Sequence, residues 1–488
     1  MIDWDFNGTY TDETAYFIRA SGSWSYSTPE EAVNGSSGIV PIATIVLSNK
    51  DGRFSSLNSA SPIYSAISNG GAYQAPMYLQ INLDGAGFVT IFKGFVKLPA
   101  EISAAAKQFP VISLECRGIE DIYIQRRLKT SQAELVVWYE EGKNESEIIE
   151  SWLTALGLTS SDWSLDPGLF VIPFVYLDDA SVIEACWSLA ASCVGRFYST
   201  PDGKLRYENM FHWLLPPHDT SQETLTQASY EAISPRYNDK DIYNKVIVKS
   251  KIGTIDVEDD IWTQGKAIVI PPGETKTVTA DIGSPIYNIS NITYDAITSG
   301  GTDMSTSITM SYTYYAEVVE LEFENLSSVV AVEIHNIVLT GQKITFKSDI
   351  QAERTSTNGF WTDRQGRTRT VSDVDYIQSL EHAEMLAQFL LDRNEVPRIL
   401  WLVEKAIGKP GRLLGDRVTV NDTSVMTSAR DAVIISIDWS IDRNGFTQDL
   451  TLFDLDGYFE YMGASPGYFI INTSKLGSSG SGTARIFY

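Results

Sequence analysis

Four histidines and three cysteines are the side chains best suited to metal or nucleophilic chemistry in this 488-residue sequence. His212, His218, His335 and His382 fall into none of the HxH, HxxxH or HExxH spacings that turn imidazoles onto one metal. His335 lies in the strand-like run 331–336, and His382 is expected on the polar side of a long helix. Cys116, Cys186 and Cys193 include no CxxC pair. Cys186 and Cys193 stand seven apart on an expected helix, roughly 10 Å along its axis, beyond disulfide reach. An odd count argues against a disulfide framework and for synthesis in a reducing cytosol. No GxSxG elbow, Walker loop or GxGxxG fingerprint occurs.

Carboxylates are the remaining chemistry. A glycoside hydrolase needs two of them about 5–10 Å apart, and 62 acidic residues make chance pairs certain. Asp256, Glu258, Asp259 and Asp260 form the densest acidic run. It reads as a solvated loop; its oxygens would suit calcium, but the internal Gly and terminal Glu of an EF-hand are missing. Tyr312, Tyr314 and Tyr315 could stack on sugars or be half-buried sheet residues. The sequence therefore offers no catalytic residue, no metal ligand and no cofactor site.

The elements that would position such groups are mostly strands. The length predicts three or four domains, and 43% hydrophobic and 11% aromatic residues suffice to fill their cores. The charge, 37 − 62 = −25, makes a strongly acidic surface, which reads either as simple solubility or as a surface that repels nucleic acid. The opening residues, MIDWDFNGTY, lack the basic-then-apolar layout of a signal peptide, and no apolar run reaches about 18 residues, so no membrane span is expected.

Residues 1–117 read as a β-barrel or sandwich. Short strands are expected at 15–19, 24–27 and 39–47, followed by a hairpin over 77–92 and further strands at 95–96 and 111–116. After the strand at 39–47, Asp51-Gly52 turns the chain, and Phe54 and Leu57 are expected to dock the loop. Residues 118–240 read as a small α+β domain. One helix is expected after an N-cap at Ser146, a second from Asp179 or Ser181, and a hairpin turns at Asp202-Gly203. Residues 241–347 alternate like a β-sandwich. Residues 348–460 begin with a polar loop, 349–363. A helix capped by Asp373 or Asp375 runs to Arg393, and barrel strands follow at 399–403, 417–420, 433–439 and 446–453. Residues 461–488 read as a flexible tail with a Gly/Ser linker at 477–482, whose short apolar pieces suit strand addition to a neighbour.

Four pieces of the sequence, in this order, resemble the baseplate or tail-tip hub family of tailed bacteriophages, the minor tail proteins. They are Leu47-Ser48-Asn49-Lys50-Asp51-Gly52-Arg53-Phe54-Ser55-Ser56-Leu57-Asn58 with Ser61-Pro62-Ile63-Tyr64; Asp179 to Ala185 with Gly195-Arg196-Phe197-Tyr198 and Asp202 to Tyr207; Tyr243-Asn244-Lys245-Val246-Ile247-Val248; and Ala383 to Arg393 with Leu414-Gly415-Asp416-Arg417-Val418. The resemblance implies a mainly β, multi-domain, non-enzymatic virion protein. It would be a homotrimer whose two hub barrels, 1–117 and the strands of 348–460, form a pseudo-sixfold ring on the tail tube. The 241–347 sandwich would be peripheral. Implied partners are the distal tail or tail-tube protein, the tape-measure protein, and spike or receptor-binding fibres. DNA would pass through without specific binding. Assembly would take place in the host cytoplasm. In such a ring Arg53, flanked by Asp51 and Phe54, is the residue expected to contact a neighbouring subunit. The alternatives are a carbohydrate-binding, adhesin-like surface protein using the 241–347 sandwich, and a glycoside hydrolase.

Overall fold

Two stretches far apart in sequence lie in one sheet. The computed structural model describes residues 1–26, 38, 40–64, 74–83, 85, 87–97, 100–102, 110–124, 138–177, 181–237, 242–314, 317–357, 366–372 and 376–455. The fold is mainly β, with several sheets and a few helices. The largest sheet has 12 strands. Its path starts at Ala232–Tyr237 and passes through Ile399–Ile407, Gly445–Asp454 and Arg430–Asp442 to Phe17–Ser25. It continues through Ile42–Ser48, Val111–Arg117 and Val89–Val96 to Ala75–Ile81. The barrel-type strands from both ends of the chain are thus one hydrogen-bonded ladder, left open among the described residues. One apolar core runs beneath both, from Ile2 and Phe54 to Trp439 and Phe453.

Strand Phe17–Ser25 is the joint. Sequence reading gives two short strands here, 15–19 and 24–27. Instead it is continuous, since both of its edges are paired. Gly22 faces Ala43 on one side and Trp439 on the other. A Cβ at Gly22 would lie 2.3 Å from the Trp439 ring and 2.7 Å from the Ile42 carbonyl oxygen. The glycine is there for close approach, not for a turn.

A second core gathers the helices. Glu145–Ala155 is capped by Asn144, not Ser146. The Asn144 side chain accepts from the Glu147 N–H, and the Glu147 carboxylate accepts from the Asn144 N–H. Strand Trp138–Asn144 runs straight into the helix, so Asn144 is its last extended residue. Ser181 caps Val182–Ser192 as expected. The long helix, Leu380–Asn394, is capped by Ser379, whose hydroxyl accepts from the His382 N–H. Asp373 and Asp375 lie outside the described residues. The helix packs with Val246, Val248, Ala352 and the two shorter helices.

The third core is a sandwich. Strands Thr275–Asp281, Val318–Asn325 and Ile308–Tyr314 form one sheet. They share an apolar core with strands Asp259–Gln264, Ile268–Ile270, Ile286–Ile297 and Val332–Thr355. The last of these has 24 residues. Its far half pairs with Lys245–Ile255, so strand replaces the start of the polar loop expected from 349. Residues 358–365 and the tail 461–488 are outside the described residues. Among those described, no helix is long and apolar enough to cross a membrane.

Candidate assembly site at the sheet joint

The loop after strand Ile42–Ser48 is braced by its own polar side chains. Asn49 Oδ1 accepts the Phe54 N–H at 2.8 Å, and Asn58 Nδ2 donates to the Gly52 carbonyl at 3.0 Å. Gly52 has φ +70°, which the Asp-Gly turn requires. Phe54 is fully buried as expected. Leu57 is not: it is 89% exposed, and Ile63, which is buried, serves as the second anchor. Two residues, Ser55 and Ser56, lie between Phe54 and Leu57, and the turn from Ser55 to Asn58 leaves Leu57 facing outward.

Arg53 is held within its own chain. Its Nη2 and Nε donate to the two carboxylate oxygens of Glu13 at 2.8 and 3.2 Å. The guanidinium also lies over the rings of Tyr16 and Phe54. Glu13 is buried and accepts a third bond from Trp4 Nε1 at 3.1 Å. About one third of the Arg53 side chain stays exposed, which is the part left for any contact outside the chain. Sequence reading missed Glu13, which lies 40 residues away with no pattern linking the two.

A buried ionic cluster ties the joint to the helical core. Glu208, at the end of strand Leu205–Glu208, accepts from Tyr26 and Tyr198 hydroxyls at 2.8 and 2.5 Å. Arg196 and Arg206 lie at 3.7 and 3.4 Å, and His212 at 3.4 Å. The Arg196 guanidinium rests on the Trp213 ring, 3.9 Å from its centroid, with Tyr26 at 5.3 Å. Burial pushes the Glu208 carboxyl up, but His212, Arg196 and Arg206 more than reverse it, so it stays below its ordinary value. Burial, and then the Glu208 charge, drive the Tyr26 and Tyr198 phenols well above theirs. Gly415 closes the cluster from the second β segment: a Cβ there would meet the Tyr26 hydroxyl at 2.9 Å. Nearby, Trp24 Nε1 donates to the Ser199 carbonyl, and buried Glu120 accepts from the Ser199 amide and hydroxyl. Burial raises the Glu120 carboxyl to about 7.

The histidines occupy structural positions. His212 and His218 come together, ring centroids 4.6 Å apart, with Asp166 2.7 Å from His212 Nδ1. His335 pairs with Glu333. His382 is not on a polar face. It is buried, stacked on Phe170, and its Nε2–H donates to the Ser192 carbonyl at 3.0 Å. A first-turn position is turned inward here because helices Val182–Ser192 and Leu380–Asn394 meet in one core. Burial lowers the His382 pKa to about 4, against the opposing Ser192 bond. A proton is then taken up by the unfolded chain near pH 6.5 but by the folded chain only near 4. Stability from neutral His382 is present above pH 6.5 and is lost as pH falls towards 4. Expected outcome: in urea unfolding, the stability gap between wild type and His382→Gln narrows from pH 7 to 4.5. A pH-independent gap would contradict this assignment.

The other sequence candidates stay separate. All three cysteines are free and buried. Asp256, Glu258 and Asp260 accept hydrogen bonds from Thr345, Ser290 and Thr340. Among the described residues, no group of three or more His, Cys, Asp or Glu is placed to hold a metal ion. Tyr312 is exposed; the Tyr314 side chain and Tyr315 are outside what is described. A shallow cavity of about 370 Å³ lies on the joint itself. Ser21, Ser23, Thr44, Ser440, Asp438 and Asp449 line it, the two aspartates facing each other across the hairpin.

No protein-family model matches the chain, and no curated protein matches it in sequence. Its fold is similar to that of a 43 kDa tail protein of prophage MuSo2 from Shewanella oneidensis. That likeness has 10% identity and TM-score 0.47 over 90% of this chain and 95% of the other. A tail protein from Neisseria meningitidis MC58 gives 10% identity and TM-score 0.48 over 90% and 92%. The E. coli c3393 protein, a component of the type VI secretion system described as similar to T4 tail proteins gp27 and gp5, gives 8% and 0.38 over 93% and 76%.

Proposed function

We propose that this chain is a structural subunit of a phage tail, a hub at the tail tip that forms a homotrimeric ring on the tail tube. One observation carries the reading: barrel-type strands from both ends of the chain join side by side in one sheet through Phe17–Ser25. A ring that presents two β modules per subunit to a sixfold tube needs such a joint, and the order of the four sequence pieces points the same way. In this reading residues 1–117 and 348–460 supply the two modules, and the 241–347 sandwich projects from the ring. The ring anchors receptor-binding or spike parts. It also forms part of the channel through which tape-measure protein and DNA leave.

The joint has chemistry suited to that channel. Among the residues lining its cavity, two are aspartates, several carry hydroxyls, and none is basic. Such a surface gives a passing phosphate no cation to bind. Leu57 and the outer part of Arg53 are exposed, and in this reading they meet a neighbouring subunit. Sedimentation of the purified chain, alone and with the tail-tube protein of the same particle, tests the proposal. A species of three times the monomer mass that binds the tube protein is expected. A stable monomer that binds glycans and ignores the tube protein would overturn it in favour of the adhesin.

A further inference from the structure

An open sheet has two ends, and each exposes a row of backbone donors and acceptors that can recruit another chain. At one end of the 12-stranded sheet lies Ala75–Ile81, with Met77 buried in the core. Its outer edge is already occupied. Asp3 N–H donates to the Pro76 carbonyl at 2.9 Å, and Tyr78 N–H donates to the Met1 carbonyl at 3.1 Å. The Met1 ammonium donates to the Tyr78 carbonyl at 3.3 Å, and Ile2 bridges Met77. On its far side Ile2 exchanges two backbone bonds with Thr11, at 3.0 and 2.8 Å. The first residues therefore act as an added strand, and Ile2 and Trp4 sink into the core beneath it.

Side chains from two other segments hold that strand in place. Trp4 Nε1 donates to Glu13, and Glu13 receives both donors of Arg53 from the loop that follows Ile42–Ser48. This chain of contacts links the loop to the first four residues. It gives Arg53 a role that its sequence neighbours do not suggest.

The other end is the strand Ala232–Tyr237, which pairs only with Ile399–Ile407 among the described residues. Most of its side chains are exposed, and Pro235 sits at its centre, opposite Trp401. A proline within a paired strand turns its nitrogen to the free side, because the paired side needs an N–H. The free edge thus lacks a donor midway along its length.

We propose that the joined sheet is built to stay finite. Met1–Trp4 is an edge cap latched by Glu13 and Arg53, and Pro235 blocks the opposite edge. Subunits then meet through side-chain surfaces, and a second copy of this chain cannot add its strand to either end. This holds whatever the ring size and does not depend on the functional proposal.

Hydrogen exchange and sedimentation test it on the full chain. Arg53→Ala removes two charge-assisted bonds from a buried carboxylate. It is expected to speed amide exchange in residues 75–81 about tenfold or more. Deleting residues 1–4 is expected to give species that grow with concentration beyond the wild-type size, and Pro235→Thr to do so from the other end. If Arg53→Ala speeds exchange only in its own loop and leaves 75–81 unchanged, the latch is refuted. If the deletion variant and Pro235→Thr both keep the wild-type size at every concentration, the edge-closing role is refuted. Should the deletion variant fail to fold, the Arg53→Ala exchange and the Pro235→Thr size decide.

Discussion

Replacing Glu208 with alanine is expected to lower stability by about 3–5 kcal/mol, the usual cost of leaving a buried charge without its partner. The carboxylate is fully buried and faces Arg196, also fully buried. Without it, the guanidinium keeps the Trp213 and Tyr26 rings but loses the Glu208 carboxylate. The Tyr26 and Tyr198 hydroxyls lose their acceptor at the same time. Because Tyr26 directly follows the joint strand and Glu208 ends the helical domain's hairpin, the damage is expected at the boundary between cores. Denaturant unfolding should show the loss, and hydrogen exchange in residues 17–26 should rise more than in the sandwich. Pairing Glu208→Leu with Arg196→Met is expected to recover part of it, since both charges are then gone. A loss below 1 kcal/mol on the order used for surface pairs would mean the cluster does not hold the joint.

Trp439→Ala is expected to cost a similar amount, about 3–5 kcal/mol, through lost burial and the cavity left over Gly22. The ring is 4% exposed and packs where Gly22 lacks a side chain. The complementary change, Gly22→Ala, is expected to cost about 1–3 kcal/mol by overpacking, because the Ile42 carbonyl as well as the ring blocks the new methyl. Thermal unfolding of the two variants checks both. If Gly22→Ala were neutral, the strands would have more room at the joint than the packing indicates.

Local features were readable in the sequence wherever short-range physics decides them. The 3.6-residue spacing of Ile148, Ile149, Trp152 and Leu153 found the helix Glu145–Ala155, and Asp202-Gly203 found the hairpin Arg196–Glu208. Strand Arg430–Asp442 and its partner Gly445–Asp454 followed from alternation and the turn at Gly445, φ +126°. Errors arose where partners distant in sequence decide. The segment around Gly22 reads as a break between two short strands until both neighbouring strands are placed. His382 reads as polar until Phe170 and Ser192 are brought to it. Leu57 reads as an anchor because it is apolar, yet Ile63 takes the space.

The site divides in the same way. Arg53 stood out because of its motif, and its motif gave no sign of Glu13. Arg196 was noticed only as part of a sequence piece, and Glu208 and Tyr26 not as a site at all, since a Glu at a strand end and an Arg after a glycine are ordinary residues in sequence. Only a fold that brings residues 26, 196, 208 and 415 to one point makes them a cluster.

Cryo-electron microscopy of the assembled particle tests the central claim most directly, by locating strand Phe17–Ser25 relative to the tail axis. The account predicts three copies around the axis, with the sheets of residues 1–117 and 399–454 alternating six times around the lumen. It also predicts that the sandwich points outward. Finding this strand on a peripheral arm, away from the axis, would contradict it.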